Sequence, residues 1–254
     1  MWTYWLGLTI EWGSVLLLVW IFILMGQRHL YRRFPLFTSY VAALVVVTML
    51  RSAFLSHRNA YFYVYWFSEP VEVLLAVLAV HESFLTVFRG FYRLTWFRLL
   101  FPGAIIAALA YSAWKAWAHP PVHASRWGAA IISTSIASQY VIMGICILFF
   151  LLERAFSVRW RLYEFRIVFG FGIAALGDVA AGVIRSELGQ KQRFLSEYLP
   201  GFLFLLAVVV WLSAMFGAEP KEAAPIADTP EERRAMLEGL RYHMRVLRKL
   251  VGKK

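Results

Sequence analysis

Seven apolar stretches alternate with short, arginine-bearing connections along nearly the whole chain. Each is near the roughly 20 residues a helix needs to cross a bilayer. They fall at 2–25, 36–55, 61–88, 97–118, 127–152, 164–185 and 199–217. Hydrocarbon offers peptide groups no hydrogen-bond partner, so only helices or closed barrels satisfy every amide internally. Runs of this length predict helices, and the expected fold is all-α: a polytopic bundle of seven transmembrane helices. No Lys or Arg precedes the first stretch, and its apolar run is too long for the h-region of a signal peptide. It is expected to stay in the mature protein.

The connections differ in charge, which predicts orientation. Arg28, Arg32 and Arg33 follow the first span; Arg89, Arg93 and Arg98 the third; Arg154, Arg159, Arg161 and Arg166 the fifth. The alternate connections hold Arg58, then Arg126, then Lys191 and Arg193 offset by Glu187 and Glu197. The expected N-terminus is outside and the C-terminus inside.

Residues 218–229 are rich in Ala, Pro and acids and read as a flexible linker after the transmembrane domain, 1–217. Over 230–254 a basic amphipathic helix is expected. Thr229 serves as N-cap, Pro230 takes the first helical position and Glu232 completes a capping box. Leu237, Leu240, Met244, Leu247 and Val251 recur at three-four spacing, with Arg233, Arg234, Arg241, Arg245, Arg248 and Lys249 on other faces. Such a helix lies on an anionic inner leaflet, or docks a cytoplasmic partner or a second copy.

Composition agrees with this architecture. Of 254 residues, 61% are hydrophobic and only 16% charged, against roughly 25% charged in soluble domains. The net charge of +11 is assigned to loops and tail facing anionic lipid, and no nucleic-acid partner is expected. Cys146 stands alone within an apolar run and reads as a packing residue.

No cofactor is expected. The topology is that of heptahelical receptors and retinal proteins, but 199–217 has no lysine for a Schiff base. Haem needs opposed intramembrane histidines, and only His81 lies inside a span. His81–Glu82 begins the zinc pattern H-E-x-x-H, which fails at Leu85. The pair could relay protons inward, the alternative being simple hydration at the interface. His119 and His123, in H-P-P-V-H, have metal-compatible spacing, but two histidines do not make a site. Gly177–Asp178 matches half of the G-x-G-D motif of intramembrane aspartyl proteases. Ala175 replaces its first glycine, no other span holds a partner aspartate, and Asp228 in the tail cannot serve. With no nucleophile elbow, P-loop or dinucleotide fingerprint, an enzyme is disfavoured.

Charges within the spans carry the most information, because each costs roughly 2.5–3.5 kcal/mol at a bilayer centre and normally faces the bundle interior. They are Glu11, Arg51, Glu69, Glu72, Glu82 and Asp178. At about 1.5 Å per residue, Glu11, Glu69, Glu72 and Asp178 fall at one level in the outer half, with Arg51 near the outer end of span two. Ser133, Thr134, Ser135, Ser138 and Gln139 add a polar stripe from span five, so five helices are expected to converge. Pro70, between Glu69 and Glu72, removes a donor and predicts a kink. Two arrangements satisfy these groups. One is an outward pocket for a small cationic or polar ligand, or for protons. The other is a structural network in which Arg51 neutralises one carboxylate and hydroxyls satisfy the rest. The aromatic run 61–67 leads into Glu69 and could wall such a pocket or anchor the helix at the interface.

Tyr31-Arg32-Arg33-Phe34-Pro35-Leu36-Phe37-Thr38-Ser39-Tyr40, followed by Tyr65-Trp66-Phe67-Ser68-Glu69, resembles a group of bacterial multi-pass membrane proteins without an assigned activity. The likeness covers the first three spans and implies a bacterial inner membrane. The leading functional expectation is a sensory or signal-relaying module whose outer-half polar pocket is coupled to the cytoplasmic tail helix. A transporter or proton-coupled permease subunit, and a structural subunit of a larger complex, are the alternatives.

Overall fold

The structure, a computed structural model, describes residues 2–88, 98, 99, 101–103, 105–107, 110, 114, 137–151, 162–187 and 193–217. Among them no strand occurs, and the long helices are α1 (Trp2–Gln27), α2 (Pro35–Ala53), α3 (Arg58–Val87), α4 (Ala137–Leu151), α5 (Leu162–Glu187) and α6 (Arg193–Phe216). All but α4 are long and apolar enough to cross a membrane. The chain is thus an all-helical, multi-pass integral membrane protein. Of the expected span 97–118, single positions and short stretches between 98 and 114 are described, and these are helical. The rest of that span, the N-terminal part of 127–152, and the linker and tail at 218–254 lie outside the described residues.

Local chemistry sets the helix ends. His29 takes the left-handed conformation at φ 54°, which ends α1 and leads through a 3-10 turn at Leu30–Arg32. Pro35 then opens α2, where its missing N–H and fixed φ cost nothing. Phe34, at the N-cap, offers no side-chain acceptor. The N–H groups of Leu36 and Phe37 instead donate to the two carboxylate oxygens of Glu82, each at 3.0 Å. A residue of α3 therefore caps α2. Within helices, Thr9, Ser14, Thr38, Thr48, Ser83 and Thr86 turn their hydroxyls back onto the carbonyl four residues earlier, so these polar side chains are satisfied without water.

The helices form a ring. α1 packs against α2 and α6, α2 against α3, α3 against α5, and α5 most extensively against α6. Glycines allow that last approach. A Cβ on Gly170 would overlap the Trp211 indole nitrogen, and one on Gly177 would stand 3.0 Å from Leu203 Cβ and 3.2 Å from Pro200 Cα. Trp211 fits against Gly170 and donates its Nε1–H to the Ile167 carbonyl at 3.0 Å. Around it Phe37, Tyr40 and Phe171 pack edge-on or tilted, with ring centroids 5.0–5.9 Å from the indole. Phe84, Phe88, Phe101 and Phe149 extend this aromatic core and are almost wholly buried. Outward faces carry Leu16, Phe22, Ile23, Phe67, Leu74, Leu176 and Phe202, an apolar surface suited to lipid.

Gly170→Ala is expected to destabilise the bundle by about 1–3 kcal/mol, the usual cost of an added methyl group in a packed core. Gly13→Ala is the control, since among the described residues a Cβ there meets nothing within 4 Å. Thermal unfolding of both variants in detergent should show a lowered midpoint for the first alone.

Candidate functional site

Between these helices lies a cavity of about 530 Å³. α1 contributes Glu11, α2 Arg51, α3 Glu69 and Glu72, α4 Gln139 and α5 Asp178. These are the charged and amide residues that the depth calculation sets at one end of the bundle. Thr48, Tyr40, Tyr65 and Ser14 also line it, and α6 adds Glu197, Tyr198 and Pro200. Glu11, Asp178 and Glu197 are exposed, so the cavity is open at this end.

Arg51 organises one wall. Its Nη2 lies 2.7 Å from Glu72 Oε1 and 3.5 Å from Glu69 Oε2. It donates to Ser68 Oγ from Nη2 at 2.6 Å and from Nε at 3.2 Å. Its guanidinium carbon stands 4.8 Å from the Tyr65 ring centroid, a cation–π contact. The Glu72 approach falls outside hydrogen-bond directionality, so that buried oxygen is paired through charge alone. The structural network and the pocket thus coexist: Arg51 binds two carboxylates while the cavity stays open. The described lining residues include five carboxyl groups (Glu11, Glu69, Glu72, Asp178, Glu197) and one guanidinium.

The cavity narrows onto an apolar floor at Leu18, Leu44, Ala76, Ile142, Phe171 and Phe204. Beneath it Phe37, Trp211 and Ile167 are fully buried. Among the described residues the site is a blind cup, its lining ending above the aromatic plug formed by Phe37, Trp211 and their neighbours. Two prolines lie inside the helices beside it. Pro70 follows Glu69 in α3, and Pro200 lines the cup from α6.

His81 and Glu82 lie elsewhere. Neither lines the cup; His81 stacks against Phe101 with ring centroids 4.2 Å apart, and both oxygens of Glu82 are taken by α2. At the same end of the bundle Arg33 pairs at 2.9 Å with the fully buried Glu164, which faces the start of α5 where the helix dipole favours an anion. Arg28 donates to the Gly217 carbonyl at 3.1 Å, and Arg166 donates to the Ser213 carbonyl. His119, His123, Ser133, Thr134, Ser135 and the tail positions Leu237, Leu240, Met244, Leu247 and Val251 lie outside the described residues. Among the described residues no group of three metal-ligating side chains occurs.

Glu197 is the acid that charge counting misplaces. It reads as a loop residue offsetting Lys191 and Arg193, but α6 begins at Arg193 and carries it into the cup. Pro200, three residues later, lies inside this helix and does not open it. Comparison with family models, curated proteins and solved structures gives no match.

Glu82→Ala should leave the Leu36 and Phe37 N–H groups without an acceptor and destabilise the fold by about 1–3 kcal/mol. A proton relay through Glu82 would show the opposite pattern under thermal unfolding and flux measurement, with stability kept and proton movement lost.

Proposed function

We propose that this protein is a membrane-embedded sensory module that takes a small cation into the acidic cup and relays occupancy along α6 to the C-terminal tail. The observation carrying this reading is the blind cup: five carboxyl groups at an open end, closed below by packed aromatic rings. A ligand can enter such a cup and change the packing of its wall without passing through. α6 supplies the route, since Pro200 borders the cup and the last turns of the same helix are held by Arg28 and Arg166 immediately before the tail.

In this reading the chain crosses a bacterial inner membrane seven times, with the N-terminus and the cup outside and the C-terminus inside. The gathering of Arg28, Arg33 and Arg166 at the end opposite the cup supports that orientation. The tail helix then lies on the anionic leaflet or meets a cytoplasmic protein or a second copy through Leu237, Leu240, Met244, Leu247 and Val251. A second reading, a proton-coupled permease subunit, draws on Pro70 and Pro200, prolines inside helices that carry intramembrane carboxylates.

The test uses Thr48→Cys, inside the cup, in a Cys146→Ala background. A membrane-impermeant, positively charged methanethiosulfonate applied to intact cells should label it, about tenfold faster than an anionic analogue, because acidic clefts concentrate cations. Labelling only from the cytoplasmic side would refute the orientation, and faster anionic labelling would refute the acidic cup. Proteoliposomes should show no protein-dependent proton flux under an imposed potential; flux abolished by Glu72→Gln would select the permease instead.

A further inference from the structure

At the end of the bundle away from the cup, two arginines from neighbouring helices hold the last turn of α6. Arg28, just past α1, donates from Nη1 to the Gly217 carbonyl at 3.1 Å. Arg166 of α5 donates from Nη1 to the Ser213 carbonyl and, at 3.3 Å, to Ser213 Oγ. The two carbonyls belong to residues four apart, so they lie on nearly one face of α6 and about 6 Å apart along its axis. That face points out of the bundle. Phe202, Leu206, Val209, Ser213 and Phe216 recur along it at three-four spacing and are exposed. Trp20 meets Phe216 edge to face with centroids 5.7 Å apart, which sets the outward face of α1, with Leu16 and Ile23 also exposed, beside that of α6. An apolar seam thus runs along α1 and α6 and ends at two guanidinium groups.

Holding a helix end leaves most of this charge unused. A guanidinium carries five N–H donors, and among the described residues Arg28 and Arg166 each engage Nη1 alone and meet no carboxylate. Arg33 and Arg51, by contrast, pair with carboxylates. Arg28 is exposed and Arg166 half-buried, so both can turn free donors to a ligand. Forked donors of this kind suit phosphate oxygens. A soluble phosphate would make no use of the seam, and a zwitterionic lipid brings its own cation to its phosphate. A diacyl lipid of net negative charge meets both parts. We infer that an anionic phospholipid of the phosphatidylglycerol type occupies the α1–α6 seam, its phosphate between Arg28 and Arg166 and an acyl chain along Trp20, Leu206 and Val209. Basic pockets between transmembrane helices recur as seats for such headgroups. The seat is remote from the cup, so its occupant is independent of what the cup admits.

The test is native mass spectrometry of the full-length protein released from nanodiscs of equal parts dioleoyl phosphatidylglycerol and dioleoyl phosphatidylcholine. A retained phosphatidylglycerol is expected, favoured over phosphatidylcholine by about tenfold, as two arginines beside an anionic headgroup provide. Arg28→Gln/Arg166→Gln should abolish the preference. Arg32→Gln/Arg98→Gln removes two other exposed charges and should keep it; equal loss in this control would reduce the effect to net charge and overturn the seat. Because the first pair also holds α6, Val209→Trp supplies a second variant, which leaves both arginines in place and fills the seam from an exposed position. Retention should be lost there too, and retention that survives would overturn the path of the chain. Displacement by excess glycerol phosphate would assign the arginines to a soluble phosphate and overturn the lipid. Absence of any preference overturns it as well, and its appearance only in Glu219→Gln/Glu222→Gln would give the arginines to the chain's own linker.

Discussion

Glu82 reaches from α3 to the N–H groups of Leu36 and Phe37, and about 22 Å along the same helix pair Arg51 reaches back from α2 to Ser68, Glu69 and Glu72. The pairing of α2 with α3 is thus fastened at both ends by charge-assisted contacts, roughly twice as strong as neutral hydrogen bonds. Everything else is hung on that pair. α2 carries Phe37 and Tyr40 into the aromatic plug, and α3 carries the carboxylates that line the cup. Apolar contact alone could not set this register, because lipid competes with apolar side chains for the same surfaces and gives helices no hydrophobic reason to associate.

Keeping charge in a bilayer constrains the cup itself. Removing carboxylates from water costs several kcal/mol per ion unless geometry and hydrogen bonds compensate. Arg51 compensates two of the five, with side chains 18–22% exposed across the cluster. Glu11, Asp178 and Glu197 are exposed instead, so these three keep contact with water. A dry cavity with this lining would be unstable, and a lining without the acids would give no reason to stay open. The open end and the acids require one another.

How much of this the chain announces depends on whether a feature is one-dimensional. Length and hydropathy place spans 2–25, 36–55, 61–88, 164–185 and 199–217 within a few residues of α1, α2, α3, α5 and α6, because crossing a membrane is a constraint on consecutive residues. Helical rise brings Glu11, Glu69, Glu72 and Asp178 to one depth for the same reason. Azimuth is invisible to such reasoning, so the floor at Leu18, Phe171 and Phe204 and the α5–α6 contact at Gly170 emerge only from packing. Glu82 reads as half of a failed zinc motif, since a cap supplied by another helix has no local signature. Arg33 reads as a topological charge because its partner Glu164 lies 131 residues away.

The plug weighs on what the cup can do. Opening a path through it would bring water to Phe37 and Trp211, and aromatic side chains bury roughly 150–250 Å² each. At about 25 cal/mol per Å², exposing one such ring costs on the order of 5 kcal/mol. That cost alone holds an open state to about one molecule in several thousand. Trp211 would also lose its bond to the Ile167 carbonyl. Tilting α6 at Pro200 costs less, because proline has already removed one intrahelical hydrogen bond there and, among the described residues, Gly201 leaves only Ile10 within reach of an added Cβ. Tilted about Pro200, the first turns of α6 carry Glu197 and Tyr198 while Trp211 and the rings around it stay in place. A cup that changes its wall more cheaply than its floor favours reporting an occupant over passing it on.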